Sequence, residues 1–331
     1  MPKRQKKALE SGWSILEMIV VLVIIGLIGS SALNGLMPIA KFSQRYGNEQ
    51  IMMSLAEGFE HAYRINSGVI DTNSGPVLTF PSAATITSST MNAGRCTTTA
   101  SDLAPIAQTL PGGVTLAHRD GFNQPICVMV SPRLTGTVRG LTIHYHQVAI
   151  VSTGLNGVLD ASVSCTTGLV GGGGLRTCGD DFGRLVDGFA IQSELYTATL
   201  DKVRRIADAM ESYFRVRYQA DPSRDASVDY FGNNGAATGR WDIAGVLPIS
   251  NLGAGCAPVP LDSTGAHSAL GLALDDITDA FGNIIRYDNC SAAVRSPDNP
   301  TVTQALPPYT AVVSTTLPSG AVIAVTAMGS Y

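Results

Sequence analysis

Three histidines are the first candidates for metal chemistry in this sequence. His144 and His146 stand two residues apart in a strand-like segment, so they face the same side, and His118 could join them around a zinc ion. The spacing places no further ligand. Packed or surface histidines are therefore the favoured interpretation.

The usual catalytic motifs are missing from the sequence. It has no G-x-S-x-G elbow, no H-E-x-x-H helix and no P-loop. Its six cysteines are an even number, which suits disulfides in an oxidising compartment, where fifteen pairings are possible. We predict that the chain is not an enzyme. Only 15% of its residues are charged and the net charge is −4, so no nucleic-acid partner is predicted.

Glu17 is a lone carboxylate near the start of an apolar run over residues 12–39. The run is long enough to cross a hydrocarbon layer of ~30 Å as a helix, and a basic head over residues 3–7 precedes it. A carboxylate in hydrocarbon costs several kcal/mol unless it is paired. A cleavable secretory signal would have small residues after the run, whereas Ser11 and Gly12 come before it. The sequence predicts a membrane span with the following residues exported.

This order of basic head, glycine, apolar run and glutamate resembles the N-terminal segment of type IV prepilins and type II secretion pseudopilins. The resemblance implies cleavage between Gly12 and Trp13, N-methylation of Trp13, and Glu17 as the fifth mature residue. It also implies that Glu17 pairs with the Trp13 amine of an adjacent subunit. The partners it implies are other pilin subunits, the prepilin peptidase, an inner-membrane assembly platform and membrane lipid before assembly. The implied location is the inner membrane with a periplasmic domain, then a filament on the cell surface or in the periplasm.

An internal duplication is visible beyond the apolar run. Residues 55–65, LAEGFEHAYRI, align without a gap on residues 206–216, IADAMESYFRV. Residues 120–122 then match residues 279–281, and AIVST at 149–153 matches AVVST at 311–315. We predict two modules of one plan. The predicted divisions are a prepilin leader at 1–12, a transmembrane and filament-core helix at 13–40, a first pilin-like module at 41–188 and a second at 189–331.

The duplication selects one disulfide pairing. Under the alignment, the first-module pair Cys96 and Cys127 corresponds to a second-module pair. The predicted bonds are Cys96–Cys127, Cys256–Cys290 and Cys165–Cys178, the last closing a glycine-rich loop in the first module.

A further resemblance concerns the globular heads of type II secretion pseudopilins, in which a D-x-W-G-N-P turn precedes a strand. Residues 279–283, DAFGN, and 120–125, DGFNQP, are similar to it, with Phe in place of Trp. Such heads can hold calcium in an S-x-G-x-D-G loop followed by D-D. The resemblance implies a calcium site here, with solvated carboxylates as the alternative. Its ligands would be Asn156, Asp160, Asp180, Asp181 and Asp187.

The predicted fold class is α+β. A long N-terminal transmembrane helix continues into a pilin-like head of antiparallel sheet, and a second, tandem helix-plus-sheet module follows. The predicted function is a structural subunit, a minor or tip prepilin, of a type IV pilus or a type II secretion-like pseudopilus. The alternative is a membrane-anchored periplasmic or surface binding or adhesion protein that is not assembled into a filament.

Overall fold

The computed structural model describes most of the chain between residue 15 and residue 331. The described residues are 15–110, 113, 118–160, 168–170, 174–224, 226, 230–231, 258–262, 266–288, 293–295, 303–305, 309–329 and 331.

Two long helices dominate the described residues. Helix α1 (Ile15–Ile65) has 51 residues and helix α2 (Gly188–Ala220) has 33. A short helix α3 (Ala266–Ala269) and two 3₁₀ helices, Pro81–Ala83 and Ala100–Thr109, complete the helical elements. The outer part of α1 follows its sequence periodicity, since the buried side chains of Leu55, Phe59 and Tyr63 lie three to four residues apart on one face.

No helix in the described part of the chain has an apolar stretch long enough to cross a membrane. The apolar side chains described near the start of α1 cover residues 18–26, which span about 14 Å of helix against the ~30 Å of a hydrocarbon layer. Where side chains are described again, from residue 42, the helix soon contains Arg45 and Glu49. The predicted transmembrane helix over residues 13–40 is therefore wrong. The predicted inner-membrane, periplasmic and surface location, which depended on it, is wrong as well.

The strands are short, and all their pairings are antiparallel. In the first half they are β1 (Val77–Thr79), β2 (Thr85–Thr87), β3 (Met91–Asn92), β4 (Arg95–Cys96), β5 (Cys127–Val130), β6 (Leu134–Val138), β7 (Leu141–Tyr145), β8 (Gln147–Ser152), β9 (Gly168–Val170), β10 (Gly174–Arg176) and β11 (Phe182–Asp187). In the second half they are β12 (Val259–Pro260), β13 (Arg286–Asp288), β14 (Ala293–Arg295), β15 (Thr303–Ala305), β16 (Thr310–Thr316) and β17 (Val322–Met328).

Each half has one main sheet packed on one long helix. The first sheet has the order β11-β8-β5, and the second has the order β12-β13-β16-β17. The remaining pairs, β1-β2, β3-β4, β6-β7, β9-β10 and β14-β15, are two-stranded. The outer part of α1 covers the first sheet, and α2 from Leu200 onward covers the second. The first residues of α2, among them Ile191, belong to the first core, so this helix connects the two halves.

Asp120 and Asp279 organise the same turn in each half. Asp120 Oδ1 accepts hydrogen bonds from the backbone N–H groups two and four residues on, at 2.9 and 2.8 Å, and Ser152 Oγ donates to its Oδ2 at 2.6 Å. Asp279 accepts the same two backbone bonds at 2.9 and 2.8 Å, and Thr315 Oγ1 donates to its Oδ2 at 2.8 Å. Ser152 is thus the structural counterpart of Thr315. The predicted match of AIVST to AVVST is wrong by one residue, because it pairs Ser152 with Ser314.

The helices contact these two turns at matching places. Asn48 of α1 accepts a hydrogen bond from Gly121 N–H, and Thr199 of α2 accepts one from Ala280 N–H. Asn48 and Thr199 are separated by the same interval as the aligned helix segments. The helix, the turn and the paired strands therefore repeat as one unit.

Candidate functional site

Three carboxylates of the predicted calcium set lie together in the loop that joins β8 to β11. One oxygen from each of Asp160, Asp180 and Asp181 lies within 4.8 Å of the other two, and all three residues are half-buried. Oxygen atoms at these separations can share a hard cation such as Ca²⁺. Among the described residues this is the one acidic or histidine cluster with metal-binding geometry.

Backbone N–H groups hold the three carboxylates in place. Asp160 N–H donates to Asp181 Oδ2 at 2.8 Å, and Asp180 N–H donates to Asp160 Oδ2 at 3.3 Å. Leu155 N–H donates to Asp180 Oδ2 at 2.7 Å. Gly154 has φ +62°, and a Cβ there would lie 2.5 Å from Asp180 Oδ2, so this turn needs glycine. Because three like charges repel, a divalent cation among them would stabilise the loop.

The other two predicted ligands do not point into the cluster. Asn156 donates its side-chain N–H to Asp160 Oδ1 at 3.1 Å, while its own Oδ1 accepts from Val158 N–H at 2.7 Å. Asn156 therefore supports the loop as an Asx turn. Asp187 is the N-cap of α2, where its Oδ1 accepts from Phe189 N–H at 3.1 Å.

The predicted disulfide Cys96–Cys127 is confirmed, with its Cα atoms 5.4 Å apart. It joins β4 to the main sheet at β5. Cys178 is also disulfide-bonded. Cys165, Cys256 and Cys290 lie outside the described residues, so the other two predicted pairings stay predictions.

The predicted processing site also lies outside the described residues, since Gly12 and Trp13 precede residue 15. Glu17 falls within α1, at a position whose side chain is not described. The roles that the resemblance implies for these three residues stay predictions.

The histidines do not form a zinc site in the described part of the chain. His144 is half-buried, and its Nδ1 lies 3.5 Å from Thr135 Oγ1. Burial, and next the charge of Arg133, lower the pKa of His144. His146 faces a different set of groups, described next, so the interpretation of packed histidines fits the geometry.

A buried polar network between the two long helices was not expected from the sequence. Asp71 Oδ1 accepts from Tyr63 Oη and lies 2.7 Å from His146 Nδ1, while Gln192 Nε2 of α2 donates to Asp71 Oδ2 at 2.7 Å. All four side chains are buried. His146 Nε2 also lies 3.0 Å from Gly75 O, so both ring nitrogens face acceptors, as in a doubly protonated imidazole.

Burial, and next the charge of Asp71, raise the pKa of Tyr63 well above its ordinary value. No spacing in the sequence indicates this network. Its partners are separated by up to 121 residues and meet only in the folded chain.

Comparisons of the chain with family models, with curated proteins and with solved structures each gave no match. The functional argument therefore depends on the residues and their geometry.

Proposed function

We propose that this chain is a pilin-like subunit of a filament of the type IV pilus or type II secretion pseudopilus class, assembled through helix α1. The carrying observation is the division of α1 into two parts. Asn48, Met52 and the apolar residues after them are buried against the head. The large apolar side chains of residues 18–25 are 37% to 66% exposed.

The exposed segment of α1 is apolar on every side of the helix. A helix that is apolar all round is stable when it is buried on all sides, because each Å² of apolar surface removed from water contributes about 25 cal/mol. The same segment of neighbouring copies offers a surface of the same chemistry. Parallel packing of these helices, with the heads outside, is the arrangement that the prepilin-like N-terminal sequence supports.

Cleavage after Gly12 by a prepilin peptidase would give α1 a free amine at Trp13. An amine paired with Glu17 of the next copy would fix the axial register, a specificity role that buried ion pairs can have. The size of the two-part head supports a minor or tip subunit, since a bulky head is harder to repeat along a shaft.

Sequencing of the mature N-terminus tests the processing step, with Trp13 as the expected first residue and an intact Met1 as the contradicting one. Glu17→Ala should leave cleavage intact and reduce filament yield, measured by sedimentation and electron microscopy. Glu57→Ala is the matched control, because Glu57 is an exposed glutamate on the same helix. Equal filament yields for both variants would contradict the pairing, and a chain that stays monomeric after cleavage would favour a head that binds a ligand by itself.

We also propose that Asp160, Asp180 and Asp181 bind Ca²⁺. The clustering of their oxygens within 4.8 Å supports this. Ca²⁺ at about 100 times its Kd should stabilise the folded chain by about 2.7 kcal/mol, measured as a rise in Tm that EDTA reverses. Asp180→Asn should abolish the rise, whereas Asp201→Asn, at an exposed position on α2, should keep it. A Tm that does not respond to Ca²⁺ would remove the metal proposal and leave the filament proposal intact.

A further inference from the structure

The two halves of the chain meet through a head-to-tail junction. We call the β6-β7 hairpin and residues 67–72 the far end of the first half, and the turn at Phe281 with residues 317–319 the near end of the second half. Ser319 Oγ donates to Thr142 O at 3.0 Å across this junction. Val138 and Leu141 of the hairpin pack against the second core.

The junction joins two unlike surfaces of a repeated unit. Each half has a near end and a far end, because the helix, turn, hairpin and sheet recur in the same order. One far end and one near end are used inside the chain. An interface between unlike surfaces of equivalent units can be repeated without limit, since each addition exposes a new copy of the same surface.

The near end of the first half has an apolar groove where its counterpart is covered. This groove, which we call the base groove, has a volume of about 470 Å³ and is lined by apolar residues that include Phe42, Tyr46, Phe122, Leu155 and Phe182. Phe42 is 72% exposed, Tyr46 59% and Leu155 57%. Asp180 and Asp181 lie at its edge, so the acidic loop positions Leu155 beside the groove.

The covered counterpart uses the same structural positions. Phe122 follows Asp120 as Phe281 follows Asp279, and Leu155 lies three residues after Ser152 as Pro318 lies three after Thr315. Phe281 and Pro318 line a cavity of about 140 Å³, whose other wall belongs to the first half, including Asp71 and His144. The positions that form the base groove are therefore the positions that already bind a far end within the chain.

The far end of the second half presents apolar groups at the opposite pole. The β14-β15 pair lies between β13 and β16, just as β6-β7 lies between β5 and β8. Three apolar residues there are exposed, Val216 by 62%, Met328 by 56% and Tyr331 by 48%. The ring centroid of Tyr331 is 5.1 Å from that of Tyr218, which stands where the aligned first helix has Ser67.

We propose that the base groove binds the far end of the second half of another copy of this chain, repeating the internal junction between molecules. This proposal deepens the proposed function and rests on it, since a filament supplies the second copy. The contact adds a head-to-head interface to the helix packing. It places the second half of one copy beneath the first half of the next.

Photo-crosslinking of the full chain tests the contact directly. Tyr46 is replaced by p-benzoylphenylalanine, and equal amounts of ¹⁴N- and ¹⁵N-labelled chains are mixed, assembled and irradiated. We expect mixed-isotope dimers whose crosslinks map to residues 216–224, 293–305 or 328–331. Crosslinks confined to residues 18–25 or to other surfaces, or the absence of mixed dimers, would overturn the proposal.

Matched substitutions test the specificity of the contact. Leu155→Glu should lower the yield of mixed dimers about tenfold, because it places a charge in a buried apolar contact. Leu274→Glu changes a leucine that is 59% exposed elsewhere and should leave the yield within about twofold. Met328→Glu should lower it like Leu155→Glu from the other side, so the test does not depend on one variant folding. Equal yields for all three variants would overturn the proposal.

The outcomes separate this contact from the filament proposal. Filaments that form without the expected crosslink would remove the contact and keep the proposed function. The expected crosslink in chains that never form filaments would keep the contact and remove the proposed function.

Discussion

Replacement of Asp71 by alanine should be among the most destabilising single changes in the first half. Its carboxylate is 6% exposed and accepts hydrogen bonds from Tyr63 and Gln192 while it pairs with His146. The alanine variant leaves three buried donors without this acceptor. Two of them come from α1 and α2, so the loss falls on the contact between the two halves.

The magnitude follows from the number of donors and their burial. A buried donor that loses its acceptor costs about 1–3 kcal/mol, and removal of one partner of a buried ion pair costs about 3–5 kcal/mol. Tyr63 Oη keeps its bond from His146 N–H at 2.9 Å, which limits the loss at that residue. We expect Asp71→Ala to lower the free energy of unfolding by about 3–5 kcal/mol and Tm by roughly 6–12 °C.

Urea denaturation followed by circular dichroism measures this loss, with Asp201→Ala as the control. Asp201 is an exposed aspartate, 61% accessible, whose only printed ion pair is with Arg204 at 3.9 Å, so its removal should cost less than about 1 kcal/mol. A double-mutant cycle with Gln192→Leu should then show coupling of about 1 kcal/mol or more. A cost for Asp71→Ala within 1 kcal/mol of the control would refute the reasoning.

Three further predictions concern the buried groups and the disulfide. Because the pKa of Tyr63 is raised above its ordinary value of 10.0, its contribution to stability is complete below pH 10 and is lost as the pH rises further, so Tyr63→Phe should flatten the decline of Tm above pH 10; an unchanged alkaline slope would contradict this. Asp279→Ala and Asp120→Ala should each cost about 2–4 kcal/mol in urea, because each removes two backbone bonds and one hydroxyl bond, and costs that differ by more than about 2 kcal/mol would argue against equivalent turns. Replacement of both Cys96 and Cys127 by serine should cost about 3–4 kcal/mol, from a closed loop of 31 residues, and a cost below 1 kcal/mol would show that the bond does not constrain the unfolded chain.

Local patterns in the sequence predicted the parts of the fold that depend on near neighbours. The spacing of Leu55, Phe59 and Tyr63 predicted the helical face that is buried, and the second helix, predicted from about residue 189, begins at Gly188. The loop carboxylates Asp160 and Asp180 were also recognised, because they lie in one glycine-rich passage.

Features that depend on distant pairings were missed or misplaced. The one-residue error between Ser152 and Ser314 arose because neighbouring residues in both strands are similar in type, and only the hydrogen bond to the turn aspartate distinguishes them. The network of Asp71 and Gln192 joins residues 121 positions apart. The transmembrane prediction failed because hydropathy over residues 12–39 was taken as sufficient for a span.

The far ends of the two halves differ in chemistry although their backbones correspond. A Cβ at Gly188 would lie 2.5 Å from Tyr63 Oη, and a Cβ at Gly329 would lie 2.6 Å from the ring of Phe214, so Tyr63 and Phe214 occupy equivalent places. The first place has hydrogen bonds to Asp71, whereas the second is packed among aromatic rings, with Phe231 at 4.8 Å between centroids.

This difference follows from where the second helix starts. Helix α2 begins at Gly188, so its residue Gln192 enters the first far end and needs a buried acceptor, which Asp71 provides. Hydrogen bonds have directional geometry and apolar contacts do not, so the polar far end fixes the orientation of α2 against α1. The aromatic far end has no helix start to orient within the chain. Loss of Asp71 should therefore change the angle between the two halves, whereas an equally destabilising loss of Phe231 should leave that angle unchanged, and small-angle X-ray scattering of the two variants would distinguish these results.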